Sequence, residues 1–226
     1  MKKLKEVIFI FLICSFVSIP TFAETATCDS CADCNAKLAD EVNDKVVLSS
    51  DIFLADPTQN CIDIQRKDVV FMCDDHAISS SPMNEALGTG INVGAEWYQP
   101  LNVTVKNCTL NNFEKAIMFR SNWGQIINVT VSDSEDAITV ESVHDVSISG
   151  VEIFENGEGI RLDYTSSISV EDSYLHNNNV AMHVHRNLTE SNYFFLGNVF
   201  VENGIGIDVT DDGMILETVE CNMSLT

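Results

Sequence analysis

The sequence predicts an all-β chain wound into a right-handed, single-stranded parallel β-helix, with three sheets, about six to seven rungs and a short N-terminal capping helix. Two observations carry that expectation. A block made of a small residue followed by alternating apolar and variable positions recurs five times. It reads Ala116-Ile117-Met118-Phe119, Ala137-Ile138-Thr139-Val140, Gly159-Ile160-Arg161-Leu162, Ala181-Met182-His183-Val184 and Gly206-Ile207-Asp208-Val209, at intervals of 21, 22, 22 and 25 residues. Nine residues before each block stands a residue suited to a tight turn: Asn107, Asn128, Gly150, Asp172 and Gly197. Alternation at period two is the mark of a strand, and a repeat of this length marks stacked coils.

In chain order, residues 1–23 read as an export signal. Lys2, Lys3 and Lys5 precede an apolar run from Val7 to Val17, and Thr21-Phe22-Ala23 supplies a cleavage site. The run is shorter than the ~20 residues of a spanning helix. Cys14 is not expected to be a lipid-anchor site, because Ile13 precedes it where a small residue is the rule. No later segment is apolar and long enough to span a membrane, so none is expected in the mature chain. Residues 24–45 are expected to form the cap. Asp29 or Ser30 can cap a helix whose apolar positions Cys31, Cys34, Leu38 and Val42 fall three and four apart.

The β-helix is expected over residues 46–226. Val46-Val47-Leu48 and Cys61-Ile62-Asp63-Ile64 read as entering strands. Alternating strands such as Val103/Val105, Val146/Ile148 and Ile168/Val170 lead into each turn. Short strands such as Cys108-Thr109-Leu110, Val129-Thr130-Val131 and Val151-Glu152-Ile153 leave it. One coil buries nothing alone. Stacked at about 4.8 Å per rung, like positions form inward ladders: Ile117, Ile138, Ile160, Met182 and Ile207, then Phe119, Val140, Leu162, Val184 and Val209. Each such side chain contributes roughly 1.5–3 kcal/mol on burial. A leucine-rich solenoid is excluded by the absence of regular leucines and of room for helices. Asn198 is read as the one inward asparagine. Met214 to Thr226 starts a further rung without an evident cap, so either the coil continues in a longer chain, or a partner chain or Cys221 covers that end.

The formal charge is −22, and removal of Lys2, Lys3, Lys5 and Glu6 with the signal takes it to −24. So acidic a surface repels nucleic acid and anionic lipid, and disfavours a polyanionic substrate unless cations intervene. Seven cysteines remain: Cys28, Cys31, Cys34, Cys61, Cys73, Cys108 and Cys221. In an exported chain these read as disulfide formers with one left over, in a connectivity the spacing does not determine. Five sequons, at Asn102, Asn107, Asn128, Asn187 and Asn222, are candidate glycosylation sites if the chain is secreted. Asn107 and Asn128 also fall where turn geometry itself favours asparagine.

The segments Asn107-Cys-Thr-Leu, Gly150-Val-Glu-Ile and Gly197-Asn-Val-Phe, each followed by an Ala/Gly-led strand block, resemble the repeats of the pectin-lyase-like superfamily. More narrowly, the chain resembles the group of carbohydrate-binding and sugar-hydrolase β-helix modules and periplasmic copper-accessory proteins. The part from Cys31 to Ile78, with Asn60-Cys61-Ile62 and Phe71-Met72-Cys73-Asp74-Asp75-His76, resembles the opening of secreted β-helix proteins. The resemblance implies that a functional groove lies on the outward face of the sheet built from the repeated blocks. It leaves activity open, because one fold hosts many functions.

Alternation assigns two outward columns: Met118, Thr139, Arg161, His183, Asp208, and Arg120, Glu141, Asp163, His185, Thr210. Glu141 and Asp163 suit a retaining-glycosidase pair or a shared calcium. Arg161 or His183 would serve a β-elimination lyase as base. His183 and His185, with Asp163 or Asp208, suit zinc or copper. A plain solvated face of alternating charge is the fourth reading. Trp97, Tyr98, Trp123 and Tyr164 lie on loops leaving this sheet, where a flat ring can stack on a sugar. The Asn-x-Asp, Asp-Asp, Gly-His-Gly and Arg-x-Lys set of polygalacturonases is absent. Asp74-Asp75 and Asp211-Asp212 fall at the wrong place in the repeat. The sequence therefore points to a secreted or cell-surface, non-catalytic protein that binds polysaccharide or another surface component. The alternatives are a polysaccharide lyase or glycoside hydrolase, and a periplasmic metal-handling protein. No cofactor is established, and calcium stays open.

Overall fold

The computed structural model describes residues 24–56, 58–81, 88–186, 192–211 and 218–225. Every paired strand runs parallel to its neighbours, and the coils stack around one apolar interior. One sheet has seven strands, in the order Ile62–Ile64, Thr89–Val93, Lys115–Phe119, Asp136–Glu141, Glu158–Asp163, Val180–Arg186 and Ile205–Asp211. Its register is the predicted one: Ile117, Ile138, Ile160, Met182 and Ile207 are successive partners. Two earlier rungs, carrying Ile91 and Ile62, extend the same ladder.

The other two predicted faces form a single 15-stranded hydrogen-bonded sheet. The ten-residue strand Asn192–Val201 turns the corner at Gly197, pairing with Ser166–Glu171 before the corner and with Tyr174–His176 after it. That one strand fuses two faces. Thr218–Leu225 then lies parallel to it and begins a further rung. The remainder of the predicted last rung, and the signal segment 1–23, lie outside the described residues.

The corners are built from left-handed backbone. Asn107, Asn128, Gly150, Asp172 and Gly197 all have positive φ, between 49° and 66°. This is the region that glycine, asparagine and aspartate enter most readily. A second column, Asn102, Trp123, Asp145 and Ser167, and a third, Asn112, Asp133, Glu155, Asn177 and Glu202, do the same at the other bends.

Asn198 is buried, as expected, accepting from the Ser173 backbone N–H and donating to the Val170 carbonyl. It is not the one inward asparagine. Asn156 and Asn178 are also buried, and with Ser134 and Asn203 they form a ladder in which each side chain accepts from the backbone N–H one rung below. The cause is general: bent backbone inside a dry coil leaves N–H and C=O groups that neighbouring strands cannot pair, and an inward amide supplies both partners.

The cap helix spans Cys31–Ala39, with Ser30 as its N-cap accepting from the Asp33 N–H. It is shorter than the segment expected. Asp40 adopts extended backbone and its carboxylate accepts from the Val42 N–H, so Val42 is exposed rather than seated on the core. Residues Glu24–Cys28, placed in the cap by sequence, form a strand parallel to Asn43–Leu48. Disulfides join Cys28 to Cys34, Cys31 to Cys61 and Cys73 to Cys108. The first two tie the helix to the entering strand and the first rung, and the third links consecutive coils. Cys221 lies in the last described strand. Among the described residues no helix is long and apolar enough to cross a membrane.

Candidate functional site

The outward face of the seven-stranded sheet carries the predicted columns in register. Thr139 is level with Arg161, His183 and Asp208, while Glu141 is level with Asp163, His185 and Thr210. The inward ladders fix this arrangement, because slipping one strand by a residue would turn its isoleucine outward. Met118 and Thr139 are almost covered, at 7% and 2% exposure, so the open part of the face begins at Arg161.

Glu141 and Asp163 do not form the bare carboxylate pair expected. Each has its own guanidinium. Arg120 Nε and Nη2 donate to Glu141 Oε2 at 2.8 and 2.6 Å, and Arg161 Nε donates to Asp163 Oδ2 at 2.7 Å. Arg161 Nη1 also lies 3.5 Å from Glu158 Oε2. Burial opposes the charged form of Arg161, but the hydrogen bond and charge of Asp163, with the charges of Glu158 and Asp136, outweigh it. The guanidinium is held above its ordinary value. That is the reverse of what a base requires.

Glu158 escaped the sequence reading. Strict alternation places it inward with Ile160, yet it faces out, because Gly159 and Ile160 are both buried and the alternation breaks between them. A Cβ at Gly159 would stand 2.4 Å from the Ala181 carbonyl oxygen, so the small residue opening this block marks a bend pressed against the next rung. That recurring small residue was the available signal. Lys115 and Asp136 occupy the equivalent position on earlier rungs and form an ion pair at 3.4 Å. A solvent-open hollow of ≈ 450 Å³ lies over Lys115, Asp136, Glu158, Arg161 and Val180.

The two histidines meet through a hydroxyl. His183 Nδ1 is 3.4 Å from Glu158 Oε1 and its Nε2 is 3.1 Å from Thr210 Oγ1, which lies 3.2 Å from His185 Nδ1. Among the described residues no three His, Cys, Asp or Glu side chains converge as a metal centre. Tyr164 packs beside His185, with ring centroids 5.3 Å apart. The other aromatics are set elsewhere. Trp123 donates through Nε1 to Asp145 and meets the edge of His144. Trp97 projects from the turn closed by Ala95 and Tyr98, at 87% exposure. Tyr98 lines a separate hollow of ≈ 590 Å³ against the cap helix, with Leu38, Arg66 and Lys67.

Among known families, that described as "right handed beta helix region" matches residues 60–222. The chain belongs to this family. No curated protein sequence matches this β-helix. Among solved structures it is similar to an alginate lyase from Paenibacillus sp. str. FPU-7, with 13% identity and a TM-score of 0.41 over 78% of this chain and 57% of that one. It is also similar to the catalytic domain of a GH87 α-1,3-glucanase, with 14% identity and a TM-score of 0.43 over 80% of this chain and 39% of the other. A third is the A-module of a mannuronan C-5 epimerase from Azotobacter vinelandii, with 10% identity and a TM-score of 0.39 over 71% and 58%. The β-helix thus spans roughly two fifths to three fifths of those structures.

Proposed function

We propose that this β-helix is an exported protein that binds carbohydrate, without transforming it, on the outward face around Arg161, Asp163, His183 and His185. The observation that carries the reading is the pairing of Arg120 with Glu141 and of Arg161 with Asp163. It spends on ion pairs the groups a lyase or glycosidase would need as base and nucleophile. What remains is a rigid polar surface with an aromatic edge at Tyr164, suited to recognition by hydrogen bonding and stacking. Three disulfides favour an oxidising exterior, where the sequons at Asn102, Asn107, Asn128, Asn187 and Asn222 could carry glycans.

Calorimetric titration of the purified chain against a panel of soluble polysaccharides tests the reading. Saturable binding is expected, lost on Arg161→Ala. A panel without any binding member refutes it. A second reading, glycan cleavage, is favoured by one contact: Glu158 orients His183 as it would an acid–base catalyst. Reducing-sugar release, or ultraviolet absorbance from unsaturated products, that disappears on His183→Ala would replace the first reading by the second.

A further inference from the structure

The hollow of ≈ 590 Å³ lies at the N-terminal end of the same outward face. Its floor is the outward Asp63 of the first strand, with Gln65 after it. One wall is the cap helix, through Asn35, Leu38 and Ala39, and the other is Tyr98. Asp63 heads the column that continues through Asn92, Met118 and Thr139 to Arg161. The helix closes the sheet as a further strand would. Asn35 Nδ2 donates to the Cys61 carbonyl at 2.9 Å, and Asn35 Oδ1 accepts from the Asp63 N–H at 2.8 Å. The Cys31–Cys61 disulfide fixes it there, as does the Arg66 guanidinium, which donates to the Asp40 and Asn43 carbonyls just beyond the helix.

The aromatic wall is held as firmly. Ala95 and Tyr98 exchange backbone hydrogen bonds at 2.8 and 3.1 Å. Gly94, just before them, has φ +74°, and a Cβ there would stand 2.6 Å from the Arg120 carbonyl oxygen, so the turn sits tightly on the next rung. It leaves Tyr98 half exposed and Trp97 almost wholly so. Aromatic rings presented rigidly to solvent are suited to stacking on a ligand. The floor adds polar groups that solvent reaches, since Gln65 is exposed and Asp63 only half-buried. Asp63 Oδ1 accepts from Asn92 Nδ2, and Gln65 Nε2 donates to the Gly94 carbonyl. These bonds orient both side chains and leave Asp63 Oδ2 and Gln65 Oε1 without a donor among the described residues. The exposed Lys67 ammonium, 3.7 Å from Asp68, can itself donate.

We infer that this hollow is a second sugar subsite, one that holds the terminal unit of a polysaccharide whose next units extend over the sheet toward Arg161. The inference rests on the carbohydrate-binding reading above and adds to it a subsite and a direction. A pyranose has an apolar face for Tyr98 and Trp97, and hydroxyls that both donate to Asp63 and Gln65 and accept from Lys67. The helix decides which part of the chain fits. Asp63 and Arg161 are four rungs apart in one column, about 19 Å, so one extended chain along the axis reaches both. Beyond Asp63 it meets the side of the helix, where an internal unit would have nowhere to continue.

The test is calorimetry of the whole exported chain against a β-glucan, a xylan, a mannan, an α-glucan and a polygalacturonate, each as short, medium and long fractions. For a polymer that binds, one protein is expected per chain at every length, because a chain has one end of each kind. Tyr98→Ala and Trp97→Ala should each weaken that binding about 3- to 10-fold, with unchanged melting temperature because both rings are exposed. Phe53→Ala, which removes another exposed ring from the fifteen-stranded sheet, should leave binding as in the wild type. If the number of proteins per chain grows with length, internal units are being bound and the chain-end inference falls, while carbohydrate binding survives. If Tyr98→Ala and Trp97→Ala both bind as the wild type does, the hollow is no subsite, and again carbohydrate binding survives. If no member of the panel binds, the carbohydrate reading itself falls and takes the subsite with it.

Discussion

Replacing Asn178 by alanine probes the inward ladder that holds the bends together. Asn178 is 2% exposed. Its Nδ2 donates to the carbonyls of Ile153 at 3.0 Å and His176 at 3.1 Å and to Asn203 Oδ1 at 3.0 Å. Its Oδ1 accepts from both the backbone N–H and the Nδ2 of Asn156 at 3.0 Å. Alanine removes all of these together and leaves the buried Asn156 N–H and Ile153 carbonyl without those partners. At about 1–3 kcal/mol for each orphaned buried group, the expected loss is about 3–5 kcal/mol. For a β-helix of this length that is a fall of about 10 °C in melting temperature. Urea unfolding followed by circular dichroism measures it as a lower midpoint at unchanged slope. Asn179, the next residue, is exposed, and its replacement by alanine should cost at most about 0.5 kcal/mol. Asn156→Ala combined with Asn178→Ala should cost less than the two separately, because they share bonds. A loss below about 1 kcal/mol for Asn178→Ala would refute the ladder as a stabilising device.

At Gly150, φ is +62° and an added Cβ would lie 2.6 Å from Asn128 Oδ1, so Gly150→Ala should destabilise by about 1–3 kcal/mol in the same urea assay, with partial recovery on Asn128→Gly. The Cys73–Cys108 disulfide closes a sequence separation of 35 residues, and its loss in Cys73→Ala/Cys108→Ala should cost about 4 kcal/mol from chain entropy, measured by urea unfolding of the double variant. The Asp51 carboxyl is held below its ordinary value by the Ala77 N–H first and His76 second. Its folded value is the lower one, so its contribution to stability is complete above the unfolded value and fades as pH falls through the folded one. Carbon-detected NMR should show Asp51 titrating below the ordinary aspartate value, and Ala77→Pro, which removes the donor, should raise its midpoint.

The fold was legible where two signals coincided. From Ala116 onward the intervals stay near 22, and left-handed corners fall on asparagine, aspartate or glycine, so the period and the turn confirm each other. The first two rungs of the seven-stranded sheet were harder to see. Ile62 to Ile91 is 29 residues and Ile91 to Ile117 is 26, because longer connections interrupt the period. The second and third corner columns were illegible for a different reason. Their left-handed positions include Trp123, Glu155 and Glu202, residue types that give no hint of positive φ. Asn156 and Asn178 sit among turn residues, and nothing local separates an asparagine that bends the chain from one that bonds along the stack.

The candidate site was legible only as a face. Alternation says which side chains share a surface, and it named Arg161, Asp163, His183 and His185 correctly as neighbours. It says nothing of which neighbour bonds to which, because that is decided across rungs. Arg120 reaches Glu141, 21 residues on, while Arg161 turns back to Asp163 in its own strand. Both choices convert expected catalytic groups into ion pairs, and both depend on side-chain reach that no period encodes. The inward ladder is indifferent to them: Ile138, Ile160 and Met182 would hold the same register under any outward set. Selection can therefore rewrite this face without disturbing the coil beneath it.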